Sequence, residues 1–153
     1  MKVRIDIDEK LQEEEVIIRC RKLDEKAQKV YDTLVDVTKE SRHLMLYKEN
    51  TEYYLPLDCI LFFETTEHVI SAHTVDNIYQ TDYRLYELEE ILPGCFMRVS
   101  KSTILNLNHI YSITRNLTAS SVVQLMNTHK QVYVSRYYYK PLKCRLDEKR
   151  TGL

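Results

Sequence analysis

The chain has 153 residues, 44% hydrophobic and 29% charged, with a net charge of −1. That is one domain, or one domain with a short appendage, long enough to bury a core without staples. No apolar run reaches the length of a membrane span, and MKVRIDIDEK lacks the apolar centre of a signal peptide, so the cytoplasm is the default compartment.

Residues 1–8 alternate Val3, Ile5 and Ile7 with Lys2, Arg4 and Asp6, the pattern of a half-buried strand, and EVIIRC (15–20) reads as a second one. The period then changes: Leu23, Ala27, Val30, Tyr31, Leu34 and Val37 share a helical face behind Asp24 as N-cap, which predicts a helix over 24–40. From Arg42 onward the chain is rich in strands. HLMLYK (43–48) and TEYYLP (51–56) flank Glu49-Asn50 as a hairpin, with Pro56 ending the second strand or sitting at a sheet edge. DCILFFE (58–64) is a continuous apolar run suited to a buried strand, and VISAHT (69–74) and 77–81 follow, separated by a turn at Asp76-Asn77. A short helix is predicted at 83–92, where Leu85, Leu88 and Leu92 share a face and Pro93-Gly94 ends it. Five short strands follow: FMRV (96–99), STILNL (102–107), IYSIT (110–114), VVQLM (122–126) and QVYVS (131–135). Asn127 to Lys130 joins the last two, Tyr137–Leu146 reads as one or two helical turns, and 147–153 as a fraying tail.

Motifs for catalysis are missing. Only two glycines occur, so neither a phosphate-cradling loop nor a dinucleotide fingerprint can be built, and there is no nucleophile elbow or H-E-x-x-H. Cys20, Cys59, Cys95 and Cys144 lie far apart, which predicts reduced and mostly buried thiols, not a zinc or disulfide framework. His68 and His73, five apart on a strand-like stretch, point to opposite faces. The reading is therefore no enzyme, no cofactor, no metal and no small-molecule substrate.

Charge is segregated. From Arg98 to the end, ten Lys/Arg face two acids, a surplus of eight; residues 1–97 carry twelve basic and twenty-one acidic side chains, a deficit of nine. A basic half of this kind suits a polyanion. Both predicted helices from the first ninety-odd residues are acidic, the second through Glu87, Glu89 and Glu90, so neither can face phosphates as a recognition helix.

Three stretches carry a resemblance: LPLDCILFFE (55–64), LYELEEILPGCFMRVSKSTILNLNHIYSI (85–113) and VYVSRYYYKPL (132–142). In order, they are similar to the LytTR (LytR/AlgR-type) DNA-binding domain family and its run F-x-R-x-H-[RK]-S-x-[IV]-V-N-x-x-x-I, ending in S-R-x-Y-x-x-x-L. Ser100 stands where that family commonly has His, and Leu105 where Val is common. The resemblance implies a mostly β (α+β) fold, an elongated stack of small antiparallel sheets, in a domain over 42–146 with residues 1–41 as an N-terminal strand-strand-helix extension for dimerisation or partner docking. It implies a sequence-specific DNA-binding transcription regulator without a receiver domain, whose inter-strand loops enter the major groove. His68, Lys101, Arg136 and Tyr137 would contact bases; Ser102, Lys140, Arg98, Tyr138 and Lys143 would contact phosphates. The partners implied are double-stranded DNA with paired direct repeats, a second protomer, and a small membrane protein as inhibitor. Two rival readings remain open: a β-fold interaction module that binds a peptide or a membrane anti-regulator, and a small cytosolic enzyme with a Cys or His site.

Overall fold

The computed structural model describes residues 1–12, 15–38, 42–117 and 120–151, with two compact units, Met1–Glu40 and Ser41–Leu153. In the first unit the helix forms as α1 (Glu25–Thr38), capped by Asp24, whose Oδ1 accepts from the Ala27 N–H at 2.8 Å. The two strands expected at 1–8 and 15–20 do not form among the described residues. Alternation supplies a face but no ladder, and a strand exists only against an edge that completes its hydrogen bonds.

The second unit is built on a seven-stranded antiparallel sheet in the order β2-β1-β5-β4-β3-β7-β6. Its strands are β1 (His43–Lys48), β2 (Thr51–Pro56), β3 (Phe62–Thr66), β4 (Val69–His73), β5 (Ile78–Thr81), β6 (Phe96–Ser100) and β7 (Thr103–Asn106). A three-stranded sheet, β10-β9-β8, follows from β8 (Ile110–Arg115), β9 (Ser121–Leu125) and β10 (Gln131–Val134). The helices are α2 (Leu85–Ile91) and α3 (Arg136–Thr151). This is the mostly β architecture the residues predicted.

Each apolar run has a packing reason. Phe62 and Phe63 alternate across β3 and serve two separate cores, as do Leu105 and Ile104 on β7. One core holds Leu46, Ile60, Phe63, Leu88 and Ile104, with α2 contributing Leu85 and Leu88. The other holds Phe62, Val99, Leu105, Val123, Val134 and Leu142, joining the large sheet to the small one and to α3. A strand covered on both faces must be apolar throughout, which explains the uninterrupted ILFF run.

Four expectations need correction. Residues Leu57–Cys59 form a 3-10 turn, so the strand predicted from Asp58 begins at Phe62. α3 continues to Thr151, through most of the segment read as a fraying tail, because Tyr138, Leu142 and Leu146 find a groove against the second core. Arg136, expected just after the last strand and ahead of the helical turns, is the first residue of α3, with Tyr137 in the same turn. No disulfide joins the four cysteines, but Cys20, Cys59 and Cys144 are exposed and Cys95 is half-buried; their spacing shows pairing chemistry and says nothing of burial.

Candidate nucleic-acid interface

Strand direction sorts the turns of the second unit to two ends. β3 runs antiparallel to β7 with Glu64 opposite Thr103, so the β3–β4 turn and the β6–β7 turn share one end. The Thr65 N–H donates to the Ser102 carbonyl at 2.8 Å and ties them together. On β6 the register slips between Arg98 and Ser100, leaving Val99 outside the β6–β7 ladder. This bulge releases the Val99 carbonyl, which accepts from the Ser135 N–H at 2.9 Å. Ser135 precedes Arg136, and Lys101 lies two residues beyond Val99, so their Cα atoms are within about 16 Å. His68, Lys101 and Arg136 therefore come to the same end of the sheet, and all three side chains are exposed.

The turn chemistry is specific. Glu67 and His68 both have positive φ, 50° and 68°, as a two-residue hairpin turn of the primed type requires. Neither is a glycine or asparagine, so the tip holds about 1 kcal/mol or more of backbone strain. Ser100 Oγ accepts from the Ser102 N–H at 3.2 Å and closes the β6–β7 turn around Lys101.

Arg98 does not stand open to a phosphate. Its Nε donates to the Ser100 carbonyl at 2.9 Å, its other nitrogens reach the Lys101 carbonyl and the Glu89 carboxylate, and only 23% of its side chain is exposed. It braces the turn that carries Lys101. Tyr138 and Tyr139 pack against the second core, whereas Tyr137 is 81% exposed, its ring set edge-on to Tyr138 at 5.0 Å. Arg136, Lys140 and Lys143 fall on one face of α3, at i, i+4 and i+7, all exposed. Lys143 lies about 10 Å along the axis from Arg136, beside the body and away from the loop tips. Ser102 is exposed, its Oγ 3.3 Å from Ser100 Oγ.

One cation escaped the sequence reading. Arg115 pairs with Ser121, and Ser121 with Val134, which puts Arg115 at the same end as Arg136. Its guanidinium lies over the Tyr139 ring, 4.9 Å from the centroid. The only signal in the residues was its place at a strand end before a polar turn; its neighbours come from pairing.

The opposite end is a staple. The Lys130 ammonium, in the β9–β10 turn, donates to the carbonyls of Thr74 at 2.8 Å and Asn77 at 3.1 Å and stands 3.4 Å from His73 Nδ1. His73 stacks on Phe62 at 4.2 Å. Burial, with Lys130 nearby, pushes its imidazole down to about 4; burial also lowers the Lys130 ammonium. Asn106, 1% exposed, donates to the Ile60 carbonyl at 2.9 Å and accepts from the Asn108 N–H at 3.1 Å, a role in the core and not at a base. No cluster of three metal-ligating side chains is present among the described residues, nor any helix long and apolar enough to cross a membrane.

Residues 50–147 match the family model described as the LytTr DNA-binding domain. An uncharacterized HTH-type transcriptional regulator of Staphylococcus aureus (strain MSSA476) is 29% identical over 146 residues, 95% of this chain and 98% of its own. A counterpart from strain NCTC 8325 / PS 47 is 28% identical over the same shares. A solved LytTr DNA-binding domain from Bacillus cereus is similar in fold, with TM-score 0.65 and 22% identity, covering 70% of this chain and 98% of that one. The names of the S. aureus relatives say helix-turn-helix. In this chain five strands separate α1 from α2 and five more separate α2 from α3, so among the described residues no two helices are joined by a short turn.

Proposed function

We infer, from the premise that this chain belongs to the LytTR DNA-binding domain family, that it regulates transcription by seating three neighbouring turns in the major groove of its operator. The observation that carries the reading is the pair of backbone bonds, Thr65 to Ser102 and Ser135 to Val99, which hold His68, Lys101 and Arg136 at one end. The major groove, about 12 Å wide, admits protein elements that present side chains to base edges. Lys101 and Arg136 donate to guanine O6 and N7, and His68 and Tyr137 meet base edges beside them. Ser102, Lys140 and Arg115 contact phosphates, joined by the N-terminal peptide N–H groups of α3. Arg98, Tyr138 and Lys143 are left out of the contact set. The two protomers of a working pair occupy repeated half-sites.

Fluorescence anisotropy with the chain's own upstream DNA tests this. Lys101→Ala and Arg136→Ala should each cost about 1–3 kcal/mol on the operator, with relaxed preference at one base pair, and much less on unrelated DNA. Equal losses on both DNAs would make them phosphate contacts and overturn base reading.

A further inference from the structure

Residues 2–8 present a strand pattern that pairs with no strand among the described residues. Val3, Ile5 and Ile7 are 93%, 84% and 85% exposed, and none of the ladders among the described residues includes them. The segment stops at a formed turn: the Leu11 N–H donates to the Asp8 carbonyl at 3.2 Å, and the Lys10 N–H to Asp8 Oδ1 at 3.0 Å. Three alternating branched side chains in water are an open template for another strand.

The charges say which strand fits. The segment reads Lys2, Arg4, Asp6, Asp8 on its polar side, basic first and acidic last. Laid antiparallel on a second copy with Ile5 opposite Ile5, Lys2 meets Asp8 and Arg4 meets Asp6, each pair occurring twice. On the other face Val3 meets Ile7 beside the central isoleucines. Sliding the register by two residues puts Arg4 opposite Arg4 one way, or Asp6 opposite Asp6 the other. A parallel in-register pair sets like on like throughout. Directly opposed like charges are destabilising and opposed unlike charges stabilising, so one arrangement is selected.

We propose that residues 2–8 pair with the same residues of a second copy as a two-fold antiparallel ribbon, making the N-terminal unit the dimerisation element. This rests on the reading that the protein works as a pair, and not on DNA contact. The contact is isologous, so it closes at two protomers and does not propagate. A two-stranded ribbon is marginal alone in water; Leu23, just before α1, and Tyr31 on it are exposed apolar side chains of the same unit that a paired ribbon has available as cover.

Sedimentation velocity of the full chain without DNA tests it. Wild type should dimerise at micromolar concentration. Arg4→Asp or Asp6→Arg alone, each creating two like-charge pairs, should weaken the dimer about tenfold, and the double exchange Arg4→Asp with Asp6→Arg should restore it. Ile5→Cys should form an interchain disulfide on oxidation above the wild-type background, and Val3→Cys should not, since its partner is Ile7. A monomeric wild type, a double exchange that fails to rescue, or equal crosslinking by both cysteine variants overturns the ribbon. Anisotropy on the same samples keeps the two readings apart: a monomer that binds its operator sinks the ribbon alone, and a rescued dimer that binds no DNA sinks the DNA reading alone.

Discussion

Arg98→Ala asks whether this arginine serves the fold or the ligand. Its guanidinium donates to two carbonyls of the turn, Ser100 and Lys101, and to the Glu89 carboxylate on α2. Each such bond contributes about 0.5–1.5 kcal/mol net, and more with a charged partner. The turn carbonyls and Glu89 return to water when the side chain is cut, so no buried group is orphaned and the loss stays at the low end. We expect about 1–2 kcal/mol in urea unfolding, or a fall in Tm of about 5 °C. Operator affinity should also drop, because Lys101 then samples conformations that do not reach a base. The slope of log K against log salt should hardly change, since no phosphate loses its cation. Unfolding and salt-titrated anisotropy on the same preparation read both. Unchanged stability with a slope reduced by about 1 would make Arg98 a phosphate contact and refute the bracing argument.

Arg115→Ala should show that opposite profile: weaker binding on every sequence, a salt slope lower by about 1, and less than about 1 kcal/mol of stability lost with the Tyr139 contact; an unchanged slope removes it from the interface. His73 is held at about 4 in the fold against 6.5 when unfolded. The unfolded chain therefore takes up the proton first, and stability present above pH 6.5 is lost as pH falls toward 4. That shift corresponds to about 3 kcal/mol at most, and about 2 kcal/mol once partial solvent screening is allowed. Urea unfolding should show this acid-side loss reduced in His73→Phe, which keeps the stack on Phe62; an equal loss in the variant assigns it elsewhere. Asn106→Ala should cost about 1–3 kcal/mol through the unsatisfied Ile60 carbonyl and Asn108 N–H, with salt dependence of DNA binding unchanged; a neutral effect on unfolding contradicts its buried role.

Much of the fold was legible because its signals are local. Period-two alternation bounded by polar turns located the strands after Arg42, and Leu85, Leu88 and Leu92 with Pro93-Gly94 marked α2. Lys101 and Arg136 were named from two family runs, and His68 from its place in the turn that follows the first resembling stretch. The failures share a cause. The strands at 1–8 and 15–20 have the right alternation without an edge to pair with, and α3 outran its expected end because the groove that receives Leu142 and Leu146 is made by distant strands. No local rule says that Glu89 and two turn carbonyls will surround Arg98, which is why its bracing geometry came only from the fold.

What residue order by itself determined here is the kind of element at each position and the cations at its turns, since periodicity, capping and turn chemistry act between near neighbours. Only tertiary structure decided which cations stand together. Lys101, Arg115 and Arg136 are far apart in the chain and meet through strand register and one bulge, where the carbonyl of Val99 turns out of its ladder to receive Ser135. Pairing of that sort depends on which edges the rest of the chain leaves open, and no neighbour-by-neighbour rule contains it.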